Sequence, residues 1–261
     1  MEKITLDIKK SVEQNASIYF EKSKKSKKKL EGALNALKKS KEKLELLKEK
    51  KQKADVSKKE NETVKSKKEW YEKFRWFYSS EGFLCIGGRD ATTNDIIIKK
   101  HAEKDDVVFH TDMAGSPFFV IKAYNKKIGE ATMQETAQAT ASYSRGWRLG
   151  LSTLDVFYVK PEQLTKTPRS GEYIGKGAFI VKGKTEYLHP NLQAAIGIKN
   201  EKIIGGPVNA IKKNSDKFII INQGKEKASD TAKKIKKIIG GDLDEIIAFI
   251  PPGGSKIQKP K

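Results

Sequence analysis

The residues able to do chemistry fall in four short stretches. The first is Gly87-Gly88-Arg89-Asp90-Ala91-Thr92-Thr93-Asn94. Glycines ahead of a helix N-terminus can cradle a phosphate with backbone N–H groups, and Arg89 would add a fork of donors. Asp90 or Thr92 suits the position that caps the helix. The stretch matches neither the Walker pattern nor GxGxxG. Its plainer reading is a strand-to-helix turn in which Arg89 and Asp90 form a local ion pair. The second stretch places His110, Asp112, Gly115 and Ser116 in one strand-to-loop segment. A hydrolase would need a nucleophile within hydrogen-bond reach of a base held by a third group. Residues this close in sequence rarely reach that geometry, and there is no nucleophile elbow. His110 is expected instead as a fixed hydrogen-bonding residue at a binding surface.

The third stretch, Tyr143-Ser144-Arg145-Gly146-Trp147-Arg148, mixes aromatic and guanidinium groups. That mixture suits stacking on bases and pairing with phosphates, although Trp147 would serve equally as core packing. The fourth runs from Lys160 through Lys166 to Arg169, a basic loop stiffened by Pro161 and Pro168. Arg89, Asp90, His110, Arg145, Arg148, Lys160, Lys166 and Arg169 are the expected RNA-contacting residues.

Composition supports a polyanionic partner. The 261 residues carry a formal net charge of +20. Clustered Lys and Arg gain free energy by releasing counterions from phosphates. An anionic membrane surface is the rival polyanion, but no apolar run approaches the roughly 20 residues that span a bilayer. The first residues lack the apolar core of a signal peptide, so a cytoplasmic protein with no membrane partner is expected. Cys85 is the sole cysteine and there are three histidines. Neither a disulfide framework nor a metal site is expected, and no cofactor.

The elements that must position these residues divide in two. Residues 1–79 hold 24 Lys and Arg against 13 Asp and Glu, a much denser positive charge than the rest. Residues 9–53 contain no proline and one glycine, and apolar residues recur at Leu30, Leu34, Leu37 and Leu44 near heptad spacing. The polar stretch 50–59 reads as a turn, after which a second helix is expected to reach about Tyr78. The expectation is an antiparallel coiled-coil hairpin, with Trp70, Phe74, Trp76 and Phe77 at its base. Residues 80–261 read as one compact α/β domain with a mixed sheet, an α+β class overall. Strands are expected at 82–86, 106–111, 118–123, 154–159, 178–182, 194–198, 218–222 and 246–250, and helices at 93–101, 129–149 and 225–239.

Several of these stretches together carry a resemblance. The run KEWYEKFRWFYSSEGFLCIGG continues into RDATTND, then DVVFHTDMAGSPFFVIK, ETAQATASYSRGWRLG and DVFYVKPEQLTKTPRSGEYIGKGAFIVKGK. In this order they resemble the RNA-binding domain of the NFACT family, the NEMF- and RqcH-like ribosome quality-control proteins, in archaeal form. Residues 4–34 resemble the start of the family's coiled-coil middle region. The resemblance implies an RNA-binding component of ribosome-associated quality control. Its partners would be rRNA of a large ribosomal subunit carrying a stalled nascent chain, and tRNA. It would support untemplated C-terminal tailing, with the ribosome performing peptidyl transfer and no cofactor. The family's N-terminal NFACT-N domain has no counterpart in the matched motifs, so a separate NFACT-N-containing polypeptide is an expected partner. Arg89 and Asp90 do not correspond to that domain's Asp–Arg pair. Two other readings remain: an enzyme processing nucleotides or RNA ends, built on residues 87–90 with His110 and Asp112, and a coiled-coil adaptor that binds protein.

Overall fold

The computed structural model describes residues 4–58, 69–167 and 174–258. The chain divides into two compact units, Met1–Lys67 and Lys68–Lys261.

The first unit holds one long helix, α1 (Val12–Lys58). Its start is written in the sequence: Ser11 Oγ accepts from Gln14 N (3.2 Å) and Gln14 Oε1 accepts from Ser11 N (3.0 Å), a reciprocal capping box. Asn15 and Tyr19, on the first turns, hold the preceding segment. Asn15 Oδ1 accepts from Asp7 N (2.9 Å), and Tyr19 Oη donates to the Thr5 carbonyl (2.6 Å). Leu30, Leu34, Leu37 and Leu44 are each more than half exposed. The turn expected at 50–59 does not form within 50–58, because that run has no Gly or Pro to stop a helix of Lys, Glu and Gln. Of the expected second arm, residues 59–68 lie outside the described residues. Its last residues are strand: Arg75–Tyr78 (β1) pairs antiparallel with Leu84–Gly87 (β2). The aromatics at 74–77 therefore belong to the second unit, and the division falls at Lys67 rather than at 79.

The second unit is built on a six-stranded sheet. Its further strands are β3 (Val107–Thr111), β4 (Phe119–Ile121), β5 (Val156–Val159) and, past a two-strand ribbon of β6 (Leu164–Thr165) and β7 (Ile180–Val181), β8 (Glu186–Leu188). The order is β1-β2-β4-β3-β5-β8. Where a mixed sheet was expected, every pairing described is antiparallel, since most successive strands return without a crossover helix. Alternate residues feed two apolar layers, as the period-two pleat requires. Cys85, Phe109, Phe119 and Ile121 pack on one face. Leu84, Ile86, Val108 and Val120 pack on the other, with Phe74, Ile97 and Phe118.

Helix α3 (Glu130–Ser142) covers the first face. Ala137, Ala139 and Ala141 are buried, and their small size lets the helix lie close to the sheet. Thr136 and Thr140 donate their hydroxyls to the carbonyls of Thr132 and Thr136 (2.8 Å each), which satisfies two buried polar groups. The helix is tied to the β1–β2 turn by carboxylates. Glu135 Oε2 accepts from Ser80 N (2.9 Å) and Glu81 Oε2 accepts from Thr132 N (2.9 Å). The single helix expected over 129–149 breaks at Ser144, whose hydroxyl caps α4 (Arg145–Leu149) by accepting from Gly146 N (3.0 Å).

A second sheet, in the order β10-β9-β11-β12, joins β9 (Ala194–Lys199), β10 (Lys202–Gly206), β11 (Lys217–Glu226) and β12 (Ser255–Ile257). Helices α5 (Val208–Asn214), α6 (Ala228–Ile239) and α7 (Leu243–Phe249) accompany it. The apolar run at 246–250 was expected as a strand. It lies mostly in α7, because Asp242 accepts from Asp244 N and Glu245 N (2.9 and 3.1 Å) and starts a helix ahead of it. No described helix is long and apolar enough to cross a membrane.

Candidate nucleic-acid interface

The turn after β2 is set by side chains close in sequence. Asp90 is the N-cap of α2 (Ala91–Ile96). Its Oδ1 accepts from Thr93 N (2.8 Å), while Thr93 Oγ1 accepts from Asp90 N (2.9 Å). The Thr93 amide, donating to the carboxylate, holds the Asp90 carboxyl below its ordinary value. Asp90 is thus committed to the helix and is not paired with Arg89. Beside it, Asn94 is buried. Its Oδ1 accepts from Phe118 N (3.1 Å) and its Nδ2 donates to the Ser116 carbonyl (3.4 Å). A Cβ on Gly88 would sit 1.8 Å from Asn94 Oδ1, so glycine is required there to let Asn94 bridge two loops. Its role is to admit a side chain, not a phosphate.

Asn94 and His110 meet on one carbonyl. His110 Nε2 donates to the Ser116 oxygen (3.2 Å), and its ring stacks on Phe118 with centroids 4.0 Å apart. Burial drives the His110 pKa down to about 4, against the opposing pull of hydrogen bonds at Ser116 and Thr111. The ring is therefore neutral at pH 7 and fixed. Asp112 Oδ2 accepts instead from Tyr187 Oη (3.3 Å), and the Ser116 hydroxyl faces the Pro117 carbonyl (3.5 Å). These three residues form no proton relay.

Trp147 is 1 % exposed and donates from Nε1 to the Gly254 carbonyl (3.0 Å), so it packs in the core and offers no stacking face. Arg145 and Arg148, three apart on α4, are exposed. The loop carrying Ser116 lies against the start of α4: a Cβ on Gly115 would be 3.7 Å from Arg145 Cβ. A Cβ on Gly253 would be 3.2 Å from Arg148 Cα, so the loop before β12 borders the other arginine.

The basic loop divides. Lys160 Nζ donates to the Asp105 carbonyl (3.1 Å). Lys166 is an anchor: its Nζ lies 2.7 Å from Asp95 Oδ1 and 4.6 Å from the Phe179 ring centre. Asp95 Oδ1 also accepts from Gly177 N (3.0 Å), which pins that turn onto α2. Arg169 lies outside the described residues.

One group escaped the sequence reading. Arg75, on β1 opposite Gly87, lays its guanidinium 4.4 Å from the Tyr143 ring centre. Read as part of a helix, Arg75 had no visible relation to Arg89. In the sheet Arg75 is seated on Tyr143, the residue two before Arg145, and Arg89 donates to the carbonyl of Phe74, the residue before Arg75. Among the described residues neither Arg75, Arg89, Arg145 nor Arg148 has a carboxylate within ion-pairing distance. The arrangement offers four guanidinium groups with donors to spare, two of them, on Arg75 and Arg89, held by contacts of their own, which is the chemistry of phosphate recognition.

Residues 73–183 match the NFACT protein RNA binding domain. The archaeal Rqc2 homolog aRqcH of Methanocaldococcus jannaschii is 40 % identical over 204 residues, covering 75 % of this chain and 30 % of that protein. Ribosome quality control complex subunit NEMF of Homo sapiens is 37 % identical over 139 residues, covering 51 % of this chain and 13 % of that protein. The chain thus spans under a third of the length of either relative. A solved structure, the C-terminal of the fibronectin/fibrinogen-binding protein from Streptococcus suis, covers 51 % of this chain and 49 % of its own at 18 % identity. The TM-score of that match is 0.39.

Proposed function

We propose that this chain, which belongs to the NFACT family, acts in ribosome-associated quality control as an RNA-binding module. It contacts rRNA and tRNA on a large ribosomal subunit that carries a stalled nascent chain, and it supports C-terminal tailing there. The proposed setting is the cytoplasm. One observation carries the reading: the segment that matches the RNA-binding domain, residues 73–183, is the segment that holds Arg75, Arg89, Arg145 and Arg148 without carboxylate partners among the described residues. A net charge of +20 supplies the long-range attraction to a polyanion.

Within this reading, Arg89, Arg145 and Arg148 are the RNA contacts, and Lys160 adds charge just past the end of β5. Asp90 shapes the turn that carries Arg89, and His110 holds the Ser116 loop that lies against the start of α4. Lys166 holds a turn in place. Arg169 stands as a candidate from its sequence alone.

The test is equilibrium binding of fluorescent tRNA across a salt series. Log affinity is expected to fall linearly with log salt, because each neutralised phosphate releases counterions. Replacing Arg145 and Arg148 together with Gln is expected to weaken binding and flatten that slope by about two. Affinity that ignores salt, or a double variant that binds like the parent, rejects the assignment.

A further inference from the structure

We infer that Arg75, seated on Tyr143, and Arg89, anchored on the neighbouring Phe74 carbonyl, form a binding site for an RNA phosphate. The inference rests on the RNA-binding reading above, which counts Arg89 as a contact, and adds Arg75 and the group, a phosphate, that the pair would take.

The geometry comes from two strands and a helix end. Antiparallel pairing sets Arg75 across from Gly87, two residues before Arg89. Tyr143 follows the last turn of α3 and offers its ring as a seat, with the Arg75 guanidinium 4.4 Å from the ring centre. A cation held on an aromatic face loses less freedom when it binds an anion. The tyrosine hydroxyl is already donated to the Phe249 carbonyl (2.7 Å), so the ring is fixed from its far end. Arg89 is held by the residue before Arg75: its Nη2 donates to the Phe74 carbonyl (3.0 Å).

The electrostatics call for an anion. Each guanidinium carries five N–H donors and stays protonated. Arg89 uses one on Phe74, and Arg75 makes no side-chain hydrogen bond among the described residues. Burial lowers the pKa of both against an opposing pull from Tyr143, and the positive charge of Arg89 adds a smaller lowering at Arg75. Two partly desolvated like charges with no carboxylate among the described residues are unfavourable unless a counterion joins them. A phosphate oxygen pair matches the planar fork of each arginine, and one phosphate can accept from both. The same chemistry would admit free inorganic phosphate.

Side-chain Nε–H signals of the full chain, labelled with 15N-arginine and assigned through Arg75→Lys and Arg89→Lys, separate the outcomes. The protein is titrated with a single-stranded RNA oligonucleotide and, separately, with inorganic phosphate. The Arg75 and Arg89 signals are expected to move together with RNA, at concentrations well below those needed for inorganic phosphate. Arg75→Gln, with circular dichroism unchanged, is expected to reduce the salt slope of RNA binding by about one. If that variant fails to fold, the wild-type titration still decides. RNA that shifts other arginines while these two stay still overturns the site and leaves the RNA-binding reading standing. Movement with inorganic phosphate but not with RNA overturns the RNA assignment, and no movement with either overturns the site altogether.

Discussion

Asp90 and His110 look like functional residues in the sequence, and both are bound up in holding loops. The carboxylate of Asp90 closes a capping box with Thr93. Asp90→Ala is expected to cost about 1 kcal/mol of stability, the usual value of an N-cap. RNA affinity should fall only through looser placement of Arg89, by less than in Arg89→Gln, and a denaturation curve with a binding isotherm on the same sample checks both. His110 makes a pH prediction. Its pKa falls from 6.5 to about 4 on folding. Between those values the unfolded chain binds a proton that the folded chain refuses. The stability it contributes is therefore complete above about pH 6.5 and is lost as pH falls toward 4, a total on the order of 3 kcal/mol. Denaturant melts at pH 7, 5.5 and 4 should show this decline. In His110→Gln the decline should be smaller, with the remainder carried by groups such as His101, which burial also shifts downward.

At the scale of elements, Asn94 joins α2 to the loop before β4. Asn94→Ala would leave the buried Phe118 N–H and one hydrogen bond at Ser116 without a partner, a loss of about 2 kcal/mol. Fluorescence-detected unfolding checks it, and the Phe118 amide should lose protection from hydrogen exchange. How far such elements can be read from sequence depends on where the signal lies. The cap of α2 was legible only as a choice between Asp90 and Thr92, since capping is local chemistry, and the structure takes Asp90. The run at 246–250 was ambiguous, since a short apolar stretch has no distinguishing period, and the cap at Asp242 that decides for helix lies upstream. The strands β8, β10 and β12 were missed because their sequences are short or polar and their pairing comes from a neighbouring strand. Lys166 read as a phosphate contact because its partner, Asp95, is distant in the chain. Arg75 went unnoticed for the same reason: its relation to Arg89 and Tyr143 exists only once β1 is a strand.

For the molecule as a whole, the division into a charged helical unit and an α+β unit was visible in the charge density and in the period of the apolar residues. The exact boundary was not, because the aromatic run at 74–77 fits a helical stripe as well as a strand. Charge and fold class together point to a polyanion; the ordered motifs point to the ribosome. The +20 charge predicts attraction to any RNA, so preference among RNA partners must be measured. The most direct measurement is co-sedimentation with large ribosomal subunits that hold peptidyl-tRNA, compared with empty subunits, at near-physiological salt. The chain is expected to pellet with the loaded subunits, alone or together with an NFACT-N polypeptide, and to be released as salt rises. A chain that stays in the supernatant in both settings, or that binds loaded and empty subunits equally, would contradict a role on stalled subunits.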